Sequence, residues 1–477
     1  MHTETAHGNA DRWIFYGFLL LLAWTPLPLG SNRPWAWSLM EIWVFMLAIF
    51  WLIAWLRNRV SITPVFHSAR PVLLLFLCWL LWVGFQLVSL PPALLQFLSP
   101  QAHELYTTHP DVTRDWLPLS VNVYATGQGF LKSVSYVLVF CLALLLLNSR
   151  KRVEQCTWII ILSGVFQAVY GSLMTLTGVE YTFFVEKTQS MLGYASGTFV
   201  NRNHLAGYLE MCLATGIGFM IANLEDKTHY DSWRDRLRSW LQLLFSAKAR
   251  VRLFLVIMVI ALVLTHSRMG NVAFFISLMI AGCIGLALSK HATRSMVILL
   301  ISLLVIDIFL VGTWFGIEKV AERLEETSLV TEDRDDAYHM MLDQLNEYRW
   351  TGSGLGTFYQ VFPKYRTRGL SAFYNHAHND YLEFATETGI IGFVIISATV
   401  VWSLVVALLA QYRRHDPLMR GISFAAIMGI VSLLIHATVD FNLQIPANAL
   451  LFVLLMAMAW IALHLETRHR HQYRHRA

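Results

Sequence analysis

The chain has 477 residues, of which 56% are hydrophobic and only 14% charged, against the roughly 45–50% apolar and 25% charged mix of soluble domains. That composition excludes an ordinary soluble enzyme and marks a membrane protein. Net charge is +5, but in such a chain the distribution of basic residues says more than their sum.

Residues 1–10 are polar and the first apolar run ends in no small-residue cleavage site, so no removable signal peptide is expected. Apolar runs of about 20 residues, enough to cross a bilayer, then recur to the far end. They predict an all-α polytopic membrane protein, one domain over 1–477, with twelve spans near 13–30, 36–56, 71–90, 129–148, 153–176, 203–222, 251–265, 269–289, 295–316, 388–411, 419–437 and 446–464. The five cysteines (Cys78, Cys141, Cys156, Cys212, Cys283) lie singly in or beside these runs, at neither disulfide-framework nor zinc spacing. No internal repeat of the kind that builds inverted-repeat transporters is visible.

With the N-terminus inside, cytoplasmic segments such as "RNR" (57–59), "RKR" (150–152) and "YRRHDPLMR" (412–420) hold 23 of the 36 Lys and Arg. Lys and Arg resist translocation, so both termini are expected in the cytoplasm. The basic tail, 465–477, needs only topology and attraction to anionic lipids as its explanation; no nucleic-acid partner is implied. The opposite side receives loops at about 91–128 and 177–202 and a longer one at 317–387. Long loops in compact proteins are usually functional or disordered. The third reads as a folded cap: "DAYHMMLDQLNEYRW" (336–350) places Tyr338, Met341, Leu342, Leu345 and Tyr348 at helical spacing. "GSGLG" (352–356) reads as a tight turn; as a dinucleotide fingerprint it lacks the preceding strand and the glycine spacing.

The polar residues of this outer side suit a negatively charged ligand. Arg202 lies in "GTFVNRNHLAGYLE" (197–210), where Asn201, Asn203 or His204 can cap the sixth span, and a helix N-terminus beside an arginine is an anion site; capping alone is the plainer alternative. Arg268, in "THSRMGN" (265–271), sits in a short turn at the membrane boundary. A charge there is functional by default, or it snorkels to headgroups. Arg334 is surrounded by acids in "TEDRDDAY" (331–338), which either complement a helix dipole or hold a divalent cation; the arginine competes with the second reading. "NHAHNDYLEF" (375–384) contains His376 and His378 at alternate positions, suited to metal ligands on a strand. The other reading starts a helix there, capped by Asn375 or Asn379, and leaves His378 as a general base near neutral pH. No Gly-x-Ser-x-Gly and no Cys/His pair offers a nucleophile, so direct displacement is simpler than a covalent intermediate.

Taken together, "GTFVNRNHLAGYLE", "HSRMGN", "GSGLGTF" and "HAHNDYLEFATETGIIG" resemble the bacterial O-antigen ligase and polymerase superfamily, with motifs running from about residue 195 to 395. The resemblance implies an inner-membrane glycosyltransferase with a periplasmic active site, inverting and metal-independent, with no cofactor. Its donor would be an undecaprenyl-diphosphate-linked glycan. Its acceptor would be lipid A–core in a ligase, or a second lipid-linked glycan in a polymerase. Carried over by motif, the catalytic residues fall on His378, Arg268 and Arg334. Arg202, Asn201, Asn203, His376 and Asn379 are left to bind diphosphate or substrate. The final outer turn, "HATVDFNLQIPAN" (436–448), is closer to polymerase-like members and leaves the acceptor open. A transporter for the same glycans is the reading of another class, and would need charges lining a two-sided path.

Overall fold

The computed structural model describes residues 10–108, 115–223, 247–288, 301–302, 305, 337–366 and 374–466. Apolar runs become helices because only a helix pairs every backbone N–H and C=O within its own segment where no water is present. In chain order the long ones are α1 (Arg12–Trp24), α2 (Pro34–Leu56), α3 (Arg70–Gln86), α4 (Val123–Leu146), α5 (Arg150–Leu176), α6 (Arg202–Ala222), α7 (Ala247–Leu264), α8 (Arg268–Ala287), α9 (Asp380–Arg413), α10 (Pro417–His436) and α11 (Pro446–His464). Among the described residues eight of these are long and apolar enough to cross a membrane, while α1 and α3 are shorter apolar helices. The span expected near 295–316 lies outside the described residues apart from 301–302 and 305.

Polar residues set the helix starts. Asn122, Ser149, Asn201, Ser267, Asn379 and Asp416 each accept a backbone N–H from the first turn of the helix that follows, satisfying a donor that the helix itself leaves open. Arg268 is thus the first residue of α8 rather than a turn residue, and of the three candidate caps of α6 it is Asn201 that acts while His204 turns inward.

α6 and α11 are sheathed almost completely by other helices, whereas α2 exposes Trp35, Ile42, Ile49 and Phe50 on its outer face. With lipid as apolar as leucine, packing between such helices relies on close approach. α6 and α10 achieve it at Gly218 and Gly421, where a Cβ on the first would come within 2.2 Å of the carbonyl oxygen of the second. At the opposite end from Asn201, Ser267 and Asn379, Arg152 binds Asp11 and Arg150 binds Asp416 at 2.6 and 2.8 Å, tying the starts of α1, α5 and α10 together.

α9 begins eight residues before the expected span and breaks at Gly389, whose φ of 67° and ψ of 176° are not helical. The break frees carbonyls of the preceding turn, and the glycine turn takes them: Ser353 N donates to Thr386 O at 3.1 Å and Gly354 N to Glu387 O at 2.8 Å. Gln86 Nε2 adds a bond to Glu387 O at 2.9 Å and Trp82 Nε1 one to Thr388 O at 2.9 Å. Non-helical backbone at such depth persists only where protein satisfies it. The approach is so close that a Cβ on Gly352 would lie 2.1 Å from the Glu387 carbonyl oxygen.

Residues 337–347 are helical, with a buried face rotated from the expected one. Ala337, Met340, Met341, Gln344 and Tyr348 are buried while Leu342 is 43% exposed. The reason is tertiary: Met340 and Met341 meet Phe358, Phe362 and Ala377 in one apolar cluster, so the partner that comes after the glycine turn chooses the face. Tyr348 instead joins Leu95, Leu117 and Leu119 of the 91–128 loop.

Candidate active site

The starts of α6 and α8 lie side by side. A Cβ on Gly270 would meet Ala206 at 2.6 Å and the Glu210 carboxylate at 3.2 Å, so the first turn of α8 lies flush against α6. Each helix opens with an arginine, Arg202 and Arg268, behind a capping side chain. The guanidinium of Arg202 stacks 3.8 Å from the Tyr194 ring, and Tyr194 meets His266 edge-on. Two positive helix ends carrying two arginines form an electropositive shelf suited to an anion. Asn203 donates its backbone N–H to Asn201 at 2.9 Å. Arg334 lies outside the described residues.

From that shelf a chain of carboxylates and imidazoles runs to the loop histidines. Glu210, buried in α6, accepts from Ser432 Oγ at 2.5 Å and from His436 Nδ1 at 2.8 Å. The other nitrogen of His436 lies 3.9 Å from Asp440, as does Nε2 of His204, and His378 Nδ1 lies 3.6 Å from the same carboxylate. Asp440 thus faces three imidazoles. Burial by itself would raise its carboxyl, yet His378, His204 and His436 together hold it well below the usual carboxylate range. At 3.6 Å the His378 contact is charge proximity, longer than a hydrogen bond.

His376 takes a separate partner. Its Nδ1 donates to Glu383 at 2.6 Å, and the other oxygen of Glu383 accepts Ala377 N at 2.8 Å. Burial works against protonation of His376, but the Glu383 carboxylate outweighs it and raises the imidazole above its ordinary value. Phe441 organises the group: His376 stacks on its face at 4.3 Å, while His378 and His204 meet it edge-on at 4.8 and 4.6 Å. Asn379 caps α9. The residue before it, His378, has a φ of 48°; histidine enters this left-handed region more readily than most residues, and held there it presents its ring to both Asp440 and Phe441. The alternate histidines therefore point to different carboxylates. Among the described residues no three His, Cys, Asp or Glu side chains converge at metal-ligand spacing.

Residues 253–397 match the O-antigen ligase family. The match supports placing the chain in the O-antigen ligase and polymerase superfamily that its motifs resemble. A search of curated proteins found no match. The O-antigen ligase segment begins within α7 and ends within α9, and so contains Arg268, Arg334, His376, His378, Asn379, Glu383 and Glu387. Arg202, Glu210, His436 and Asp440 fall outside it, although three of these four help to surround His378 or connect it to the shelf.

Sequence reasoning singled out His376, His378, Arg202 and Arg268 but not the carboxylates around them. Glu210 ends the 197–210 motif and Asp440 lies in the 436–448 turn, and neither has a role predicted from its position. The available signal was an acid in or beside an apolar run, expensive unless partnered; nothing in the spacing named the partner.

Proposed function

We propose that this protein is a polytopic glycosyltransferase that moves a glycan from undecaprenyl diphosphate to an acceptor sugar hydroxyl at the periplasmic face, with inversion and without a metal. In this reading Arg202 and Arg268, with Arg334 and the caps Asn201 and Asn203, bind the donor diphosphate. The acceptor oxygen attacks the anomeric carbon, the anomeric C–O bond breaks, and the diphosphate leaves with the bonding electrons. The hydroxyl proton passes to His378. Preorganised guanidinium groups stabilise the negative charge that grows on the leaving group, and alignment of the two substrates contributes as much as the base does. Asp440 holds the His378 ring and stabilises it once protonated.

The observation that carries the reading is one connected arrangement: two arginine-bearing helix starts joined through Glu210, His436 and Asp440 to His378. These groups lie at one end of the bundle, whereas a transporter path needs charges toward both. The acceptor proposed first is lipid A–core, as in a ligase; the polymerase alternative, a second lipid-linked glycan, rests on the likeness of the 436–448 turn to polymerase-like members. The test is reconstitution with an undecaprenyl-diphosphate glycan, comparing wild type with His378→Ala and Arg268→Ala in the presence and absence of chelator. Loss of transfer by about 10²–10⁴-fold in the histidine variant is expected. Full activity in that variant removes His378 as base, and loss on chelation removes the metal-independent mechanism. Glycan on lipid A–core identifies a ligase; lengthened chains on undecaprenyl diphosphate identify a polymerase.

A further inference from the structure

Beside His376 lies a cavity of about 610 Å³ between α2, α3, α4, α9 and α11, lined by His376 but not by Arg202, Arg268 or His378. Its two ends differ in chemistry. Toward the loops it presents Asn375, His376, Gln360, Gln444 and Glu387; toward the middle of the bundle it presents Phe76, Val137, Val400, Phe452 and Met456.

Lys132 stands between these ends. It lies nine residues into α4, about 14 Å along the axis at 1.5 Å per residue, with Gln128 and Ser133 beside it on the cavity wall. Its Nζ sits 3.9 Å from the centre of the Trp37 ring and forms no ion pair among the described residues. Glu41 and Glu387 act on it only at longer range. A lysine on a spanning helix is costly to keep without a partner and marks a ligand path by default. Arg33 adds a second, exposed cation to the same lining, ahead of α2. Near the outer end the buried Glu387 spends one oxygen on Phe358 N at 2.9 Å, while its other oxygen is unpartnered among the described residues.

We propose that this cavity is the acceptor site, and that it takes a phosphate-bearing glycolipid. The hydrocarbon chain lies along Phe76, Val400 and Phe452, the phosphate or diphosphate meets Lys132 and Arg33, and the sugar reaches Glu387 and His376. The assignment rests on the glycosyl-transfer reading above: with the donor diphosphate on Arg202 and Arg268, the second substrate must approach His378 from another side, and this chamber supplies one. The order along the cavity, apolar then cationic then hydrogen-bonding, is the order of groups along such a lipid. The charge of Glu383 is offset by the His376 imidazole that pairs with it at 2.6 Å.

The test uses the full chain in lipid nanodiscs, with Lys132→Gln, Lys132→Arg and the cavity-filling Val453→Trp. In transfer assays Lys132→Gln should raise the KM for acceptor about tenfold to a hundredfold, the scale of a lost charge-assisted bond. The donor KM and kcat should stay near wild type, and Lys132→Arg should restore most of the loss. Native mass spectrometry reads binding independently of catalysis, with an isoprenoid diphosphate glycan, a lipid A-type phosphoglycolipid and phosphatidylglycerol as probes. Weaker binding of either glycolipid in both Lys132→Gln and Val453→Trp supports the site, and which glycolipid responds identifies its source. Because this arm needs no turnover, it stands even if wild-type transfer fails. A rise in donor KM instead of acceptor KM overturns the proposal. So does equal competition by phosphatidylglycerol, which would make the cavity an ordinary lipid site.

Discussion

Replacing Asp440 by asparagine separates a positioning carboxylate from a packing one. The amide keeps the volume and an oxygen that can still accept Phe441 N, now at 2.8 Å, so the 436–446 turn should hold. What disappears is the negative charge facing His378 at 3.6 Å and His204 and His436 at 3.9 Å each. For a fully protonated His378 the lost attraction is about 4.6 kcal/mol at an effective dielectric of roughly 20. That bounds the loss of rate at about three powers of ten. The contact exceeds hydrogen-bond length, and removing a group that orients a working histidine costs about 10–100-fold, so a loss in that range is expected. It should appear in kcat rather than in either KM, because the carboxylate touches no substrate. The assay is transfer from a lipid-linked glycan donor, with kcat and both KM values read separately. An unchanged kcat would refute the assignment of Asp440 as the partner of a working His378.

Three further outcomes follow from the same geometry. Arg268→Ala and Arg202→Ala should each lower kcat/KM by about 10²–10³-fold; at 202, where the guanidinium stacks on Tyr194, lysine should recover little of the loss, and full recovery there would contradict that. Gly352→Ala should destabilise the fold by about 3 kcal/mol or more, because its φ is 72° and its Cβ would lie 2.1 Å from the Glu387 carbonyl oxygen; Gly127→Ala, which meets nothing within 4 Å, is the control in thermal unfolding. The His376–Glu383 pair raises the imidazole above its unfolded value, so its stabilisation is fully present below about pH 6.5 and fades as pH rises through the folded value. Melting in detergent should show the gap between wild type and Glu383→Gln narrowing over that interval, and a gap independent of pH would exclude the charged pair.

Membrane class and helix positions were legible because they depend on local apolarity and on single capping side chains, which act within three residues of themselves. The helix start at Asn379 was readable in that way, as was the tight turn at 352–356. The face of the 337–347 helix was not: spacing allowed Leu342, while Phe358 and Phe362, beyond a turn, selected Met340 and Met341. The break at Gly389 was equally hidden, since it depends on Ser353, Gly354 and Gln86 being present to receive the freed carbonyls.

By itself the sequence determined that this is a helical membrane protein, and that arginines and a histidine pair gather near helix starts, where motif and cap lie in one short stretch. Only the tertiary structure decided what those residues work against. Glu210 meets His436 226 positions later, and Asp440 reaches back to His204 and His378. Lys132 becomes a cavity wall only when α2, α4, α9 and α11 surround it. A buried charge needs a partner, but which residue supplies it depends on helix packing, and no periodicity along the chain records that.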